Sequence, residues 1–230
     1  MVYLKKFATE EEYNSFKRNP VKKYVSLISA TGEVKYDESV PNGIYINHID
    51  GSLYTYDEWS SGGFAADQAN GVAVLAPECS FIISKQYLGQ YNAWSADTSN
   101  IISGVFTTES SDAAKADYSG LANTAILAAV EGNSVANACA AYDCANYEFP
   151  NGVKGYLPSV GEWMTAIAHK DEIDAAMSLI GGVAFDAKYL WSSTQVNAEK
   201  AWIVAWGGIL VSMNKSRGGN LIKTRAFAAL

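Results

Sequence analysis

Hydrophobic periodicity changes twice along this chain, and that order limits the folds open to it. Alternating apolar and polar residues dominate up to about residue 84. Helix-spaced apolar residues take over between about 121 and 180, and strand-like runs return from about 189 to the end. Strands, then helices, then strands predict an α+β fold, not the steady alternation of a doubly wound sheet. No internal repeat or low-complexity tract interrupts the series.

The first block predicts three hairpins. In "KYVSLISATGEVKYDE" two strand-like runs flank "ATGE", preceded by "TEEEYNSFKRN", where Thr9 and Glu12 stand at capping-box spacing. Pro41-Asn42-Gly43 closes this stretch, so residues 1–42 read as a small N-terminal unit and 43–230 as the main domain. "GIYINHIDGSLYTYDEW" turns at Asp50-Gly51, the strongest short hairpin signal present, and "GVAVLAPECSFIIS" turns at Ala76-Pro77-Glu78. From Gln86 to Asp117 no regular pattern is visible.

Helices are expected from Leu121 to Val130, and from an N-cap at Ser134 to about Tyr147. A third opens with the Ser159/Glu162 capping box and puts Trp163, Ala166 and Ile167 on one face. It restarts near Asp171 with Ile173, Met177 and Ile180 inward, and Gly181-Gly182 ends it.

Chemistry-bearing motifs are sparse. There is no GxSxG, P-loop, GxGxxG or HExxH, and the two histidines, His48 and His169, lie about 120 residues apart. Asp57-Glu58, Glu131 and Asp171-Glu172 read as solvated acids. "SADTSN" and "SSDAAKADYSG" lack the ligand spacing of a calcium loop. Cys79, Cys139 and Cys144 form no CxxC pair and leave an odd thiol, which suits buried structural cysteines in a reducing compartment. The residues therefore predict no catalytic site, no metal and no cofactor.

Charge is uneven. From Trp191 onward five basic residues (Lys200, Lys215, Arg217, Lys223, Arg225) face one acid, Glu199; this +4 within a total of −7 leaves −11 on the first 190 residues. The basics do not cluster, which excludes a nucleic-acid partner, and the terminal ones can pair with carboxylates of the body. No run of eighteen apolar residues argues for membrane insertion, and "MVYLKKFATEEEYNSF" has no apolar core of a signal peptide. The expected setting is the cytoplasm or a phage particle.

The C-terminal stretch "WSSTQVNAEKAWIVAWGGILVSMNKSRGGN" holds three of the six tryptophans among residues with no shared size, charge or preference. Together, "DEWSSGGFAADQANGVAVLAPECSFII", "GYLPSVGEW" and "YLWSSTQVNAEKAW…RAF" resemble the variable proteins of diversity-generating retroelements of gut Bacteroidales and their phages. The resemblance covers roughly 43–230, most firmly 155–227. It implies a C-type-lectin-like fold of the formylglycine-generating-enzyme subtype, displaying a segment rewritten by an error-prone reverse transcriptase.

On that resemblance the variable segment is about 191–227. Its fixed anchors match Trp191, Ser192, Ser193, Thr194, Ala201, Trp202, Val204, Lys215, Arg225, Ala226 and Phe227. The ligand-binding, variable positions match Val196, Asn197, Ala198, Glu199, Lys200, Ile203, Ala205, Gly207, Ile209, Val211, Met213, Arg217, Gly218, Gly219 and Asn220. The usual "VRxVRAF"-like ending keeps only Arg225 here. Trp202, Val204 and Trp206 would face inward along "AWIVAW", leaving Ile203 and Ala205 outward. The plainer alternative is an ordinary β-hairpin with Ile203, Ile209 and Val211 in the core.

The implied function is non-enzymatic: a receptor-type binder of an unknown protein or surface glycan, such as a phage tail-tip protein recognising its host. Residues 1–42 would attach it to a phage tail or cell-surface assembly. The alternative on the same fold is a metal-dependent oxidase, which needs paired reactive cysteines or a histidine-rich site.

Overall fold

The computed structural model describes residues 26–28, 34–36, 40–88, 93–134, 137, 139–217 and 222–230. It is an α+β arrangement with two main sheets. Strands β1 (Ser26–Ile28) and β2 (Val34–Tyr36) pair antiparallel, the first expected hairpin. The Thr9/Glu12 capping box lies outside the described residues.

Five strands form the first sheet in the order β11–β6–β5–β3–β4: β3 (Gly43–His48), β4 (Leu53–Tyr54), β5 (Ala69–Leu75), β6 (Ser80–Ile83) and the C-terminal β11 (Phe227–Ala229). Both expected hairpins are present in it. The β3–β4 turn works because Gly51 takes φ 87, and Asp50 Oδ1 accepts the Ser52 amide at 2.9 Å. The second sheet runs β10–β7–β8–β9, from β7 (Tyr189–Gln195), β8 (Lys200–Ala205), β9 (Ile209–Asn214) and β10 (Ile222–Lys223). Only β10 is parallel to its neighbour.

The helices lie between these blocks of strand, apart from α1 (Tyr56–Ser61). There Glu58, read from sequence as a solvated acid, closes a capping box with Thr55. The others are α2 (Ser111–Lys115), α3 (Gly120–Ala128), α4 (Ala140–Asn146), α5 (Val160–Ala168) and α6 (Lys170–Leu179). The Ser159/Glu162 box caps α5, and Trp163 and Ala166 are buried beneath it. Ser134 does not start α4. Its hydroxyl accepts the Asn137 amide, and the helix waits until Ala140 because the Ala140 amide donates to Ala93 O at 2.9 Å, with Cys139 extended in a bridge to Ala93.

Both sheets are covered on both faces. One core joins Tyr45, Ala73 and Ile82 to Trp94, Leu127, Ala141, Trp191, Ala201 and Ile203. The other joins Ile46, Val72 and Phe81 to Trp163, Ile173, Met177, Leu190, Val204 and Phe227. Adjacent residues of one strand thus enter different cores, as strand alternation requires. Burial of each large side chain is worth roughly 1.5–3 kcal/mol. No helix among the described residues is long and apolar enough to cross a membrane.

Candidate ligand-binding surface

The C-terminal segment is held by polar side chains as much as by tryptophans. Ser192, Ser193, Thr194 and Gln195 follow one another along β7, all fully buried. Buried hydroxyls and amides are costly unless paired, and each of these is paired. Ser192 Oγ donates to Trp202 O at 2.8 Å, across the sheet to β8. Thr194 Oγ1 donates to Asp117 Oδ2 at 2.6 Å and accepts the Val160 amide, the first residue of α5. Asn123 of α3 donates to both Asp117 Oδ2 and Ser193 Oγ at 3.3 Å. Gln195 Nε2 donates to Thr107 Oγ1, while its carbonyl accepts the Ile102 amide and Lys215 Nζ.

The tryptophans add donors to that frame. Trp94 and Trp163 each give their indole N–H to β7 carbonyls, of Ser192 at 2.7 Å and of Trp191 at 2.9 Å. Trp202 gives its own to Thr108 O at 2.9 Å. The irregular stretch from Gln86 to Asp117 is therefore tied to β7 and β8, although its own sequence carries no strand pattern. Arg225 is fully buried, its guanidinium 4.4 Å from the Tyr87 ring centroid and 5.0 Å from that of Phe185. It donates from Nη2 to Lys85 O and Val183 O, so it pairs with carbonyls and rings where a carboxylate partner was expected. Burial depresses its pKa to about 10 and that of Lys215 to about 8.

The residues expected to face a ligand divide. Glu199, Gly207, Ile209 and Arg217 are exposed, and Asn197, Ala198, Lys200, Ala205, Val211 and Met213 are half-buried. They gather on the β7–β8 turn, the β8–β9 turn and the β9 edge of the sheet. Asn197 Nδ2 donates to Glu109 Oε1 at 3.0 Å, which adds the loop before α2 to that rim. Gly207 and Gly208, with φ 74 and 78, turn the chain from β8 into β9.

Two expectations fail. Ile203 is fully buried and packs in the core with Ala201 and Trp191, and Val196 is buried against Trp202, Ala114 and Val160. Neither can face a ligand. Of the outward face assigned to β8, Ile203 lies in one core with Val204 buried in the other behind it, and only Ala205, at the end of the strand, is half-buried. Ile203 follows the plainer hairpin reading and Val211, half-buried against the same core, follows it in part, whereas Ile209, 64% exposed, does not. The side chain of Trp206 and the positions Gly218, Gly219 and Asn220 lie outside the described residues.

Asp117, Asn123 and Gln195 carry the frame and were not singled out from sequence. Their partners stand between 70 and 93 residues away, a distance no local pattern reports. Elsewhere, burial pushes the Cys144 thiol well above its ordinary value and also raises that of Cys139. His48 packs about 6 Å from the rings of Tyr54, Trp59 and Phe64. Among the described residues no group of three or more His, Cys, Asp or Glu side chains could hold a metal ion. A cleft of about 220 Å³ opens between β3 and α6, lined by Ile44, Tyr56, Glu172 and Ala175 and by no residue of the C-terminal segment.

No family model and no curated protein matches the chain. Among solved structures it is similar to a fimbrial protein from Bacteroides ovatus ATCC 8483, 17% identical, with a TM-score of 0.51 over 83% of this chain and 49% of that one. The chain therefore spans about half of that protein's length, and at this identity the likeness is one of fold.

Proposed function

We propose that the protein is a non-enzymatic, receptor-type ligand binder with a C-type-lectin-like fold of the formylglycine-generating-enzyme subtype, diversified at its C-terminal surface. One observation carries this reading: between Trp191 and Phe227, the resemblance's anchors are buried and, among the described residues, the expected variable positions other than Ile203 and Val196 are exposed or half-buried. A surface meant to accept arbitrary side chains needs a scaffold whose stability does not depend on them. Here the hydrogen bonds of Ser192, Thr194, Gln195 and Lys215 run to other anchors, to main chain, or to Asp117 and Thr107 outside the segment.

The ligand is a protein or a surface glycan, met by Asn197, Ala198, Glu199 and Lys200 from one turn, Ala205 and Gly207 from the next, and Ile209, Val211, Met213 and Arg217 from the edge. Residues 1–42 serve as the attachment to a phage tail or cell-surface assembly. A fimbrial protein as structural neighbour is in keeping with display on a surface. An oxidase on the same fold would need thiolates or histidines at a metal. Cys139 and Cys144 are fully buried and His48 packs against the rings of Tyr54, Trp59 and Phe64, which does not favour those roles.

Sequencing the 3′ end of the gene across its source population tests the reading. Substitutions should concentrate at codons 197–200, 205, 207, 209, 211, 213 and 217, with codons 191, 202, 203 and 227 silent. Sparse variation spread evenly over the segment would overturn it.

A further inference from the structure

Sheet edges carry backbone donors and acceptors without partners, and folded chains guard them with short strands, charges, prolines, bulges or covering segments. Among the described residues, three of the four edges of the two main sheets follow that practice. β4 and β10 are two residues each, and β11 is three residues with Phe227 bridged to Tyr156. β9 is different. It runs six residues, Ile-Leu-Val-Ser-Met-Asn, without a charge or a proline, and pairs with β8 at six consecutive positions without a bulge. Among the described residues no strand lies on its other side. Ile209, 64% exposed, is the most exposed large apolar side chain among those residues, and it stands on this strand.

The geometry points to a second copy of this chain as the occupant, with the two β9 strands pairing antiparallel across a twofold axis normal to the sheet. The four strands of each copy then form one continuous sheet of eight. Such an axis keeps every side chain on its own face, and residues directly opposite in a ladder share a face. Odd positions must therefore meet odd positions. Centring the axis on Val211 sets it against Val211 of the partner subunit and sets Ile209 against Met213 of the partner subunit. Centring it on Ser212 would leave Ile209 uncovered.

Charge permits this occupant. Each copy carries −7, but none of that charge sits on β9, so self-pairing opposes no like charges within the ladder. Each half-buried Val211 and Met213 gains an apolar neighbour, and Ile209 loses its exposure. A contact of one strand edge falls at the small end of specific interfaces, below about 1,200 Å², so the dimer is weak and concentration-dependent. In it, Ile209, Val211 and Met213 serve the partner subunit, and the proposed ligand surface narrows to Asn197–Lys200, Ala205, Gly207 and Arg217. The association test reads the Ile209, Val211 and Met213 of this chain alone, whatever other copies carry there, so it and the codon survey can each fail alone.

Sedimentation equilibrium over a wide concentration range tests the pairing on the full chain, Val211→Lys and Val211→Glu. The native chain should rise from 24.7 kDa toward twice that mass, each variant alone should stay at the monomer mass, and an equimolar mixture of the two should associate again. Circular dichroism and melting check that the variants are folded. If either melts early, Ile209→Asp at the exposed position gives an independent reading and should weaken association at least tenfold, about 1.4 kcal/mol. A native chain that stays monomeric, variants that dimerise like it, or a mixture that stays monomeric overturns the pairing.

Discussion

Lys215 Nζ donates to Gln195 Oε1 at 2.8 Å, and both residues are fully buried. The same ammonium donates to Asn100 O at 2.7 Å and lies 5.1 Å from the Trp94 ring centroid. One cation thus fastens the turn after β9 to the end of β7 and to the loop before α2. The strands that carry the proposed ligand surface are joined below it, where surface substitutions do not reach.

That burial sets a pH dependence. The Lys215 pKa falls from 10.5 to about 8 in the folded chain, chiefly by desolvation. Between these values the unfolded chain binds more protons, so unfolding free energy rises with pH. The contribution is complete above about 10.5 and is lost as pH falls through about 8. At 1.36 kcal/mol per unit it amounts to at most ~3 kcal/mol. Denaturant unfolding of the native chain and Lys215→Met at pH 7, 8, 9 and 10 should show the difference moving in favour of the native chain as pH rises. A difference flat with pH would remove this account of Lys215.

Glu162 caps α5 and is itself buried. Its carboxylate accepts the Ser159 amide and hydroxyl on one oxygen and the Tyr156 hydroxyl on the other. Replacing it with Ala strands those donors and should cost about 2 kcal/mol in a urea titration. Gln can still accept from Ser159 and offer its amide to the Tyr156 oxygen, so Glu162→Gln should lose less than half as much. Equal losses would mean that side-chain volume matters here and the cap does not.

Gly161 lies inside the same helix, where Ala would ordinarily gain about 1 kcal/mol of helix propensity. A Cβ there would stand 2.5 Å from Asp117 O and 2.9 Å from Lys115 O, main-chain atoms of the α2 C-terminus that cannot turn aside. The clash should win. Gly161→Ala is expected to lower the melting temperature and weaken the neighbouring Gly161 N to Asp117 O bond, now 2.9 Å. An unchanged or raised melting temperature would show that the two helices separate easily.

Much of the fold was legible because its signals are local. The Asp50-Gly51 turn, the Ser159/Glu162 box and the Ile173/Met177/Ile180 stripe all lie within a few residues and appear as expected. The face of β8 was not legible by alternation, since "AWIVAW" is apolar at every position. That unbroken run is itself the mark of a strand buried on both sides. The polar frame was hidden for another reason: Asp117, Asn123 and Thr107 meet β7 only through the tertiary fold.

The segment from Trp191 to Phe227 should therefore respond to substitution in two separate ways. At Glu199, Ile209 and Arg217 the side chains are exposed, and changes such as Glu199→Ala, Ile209→Ser or Arg217→Ala should stay within about 0.5 kcal/mol. Ile203→Ala and Trp202→Ala open cavities in packed clusters and should cost roughly 2–5 and 3–5 kcal/mol. Gly207 is the informative middle case. Nothing stands within 4 Å of an added Cβ, yet its φ of 74 penalises any L side chain. Gly207→Ala should cost about 1 kcal/mol from the backbone alone and Gly207→Asn less, because Asn tolerates this region. Melting temperatures of these seven variants, read with one combined variant of Glu199, Ile209 and Arg217, decide the matter. Additive, near-zero effects at those three beside large losses at Ile203 and Trp202 mean that the scaffold is stable without its proposed ligand surface. A combined variant that unfolds would mean that this surface is ordinary structure.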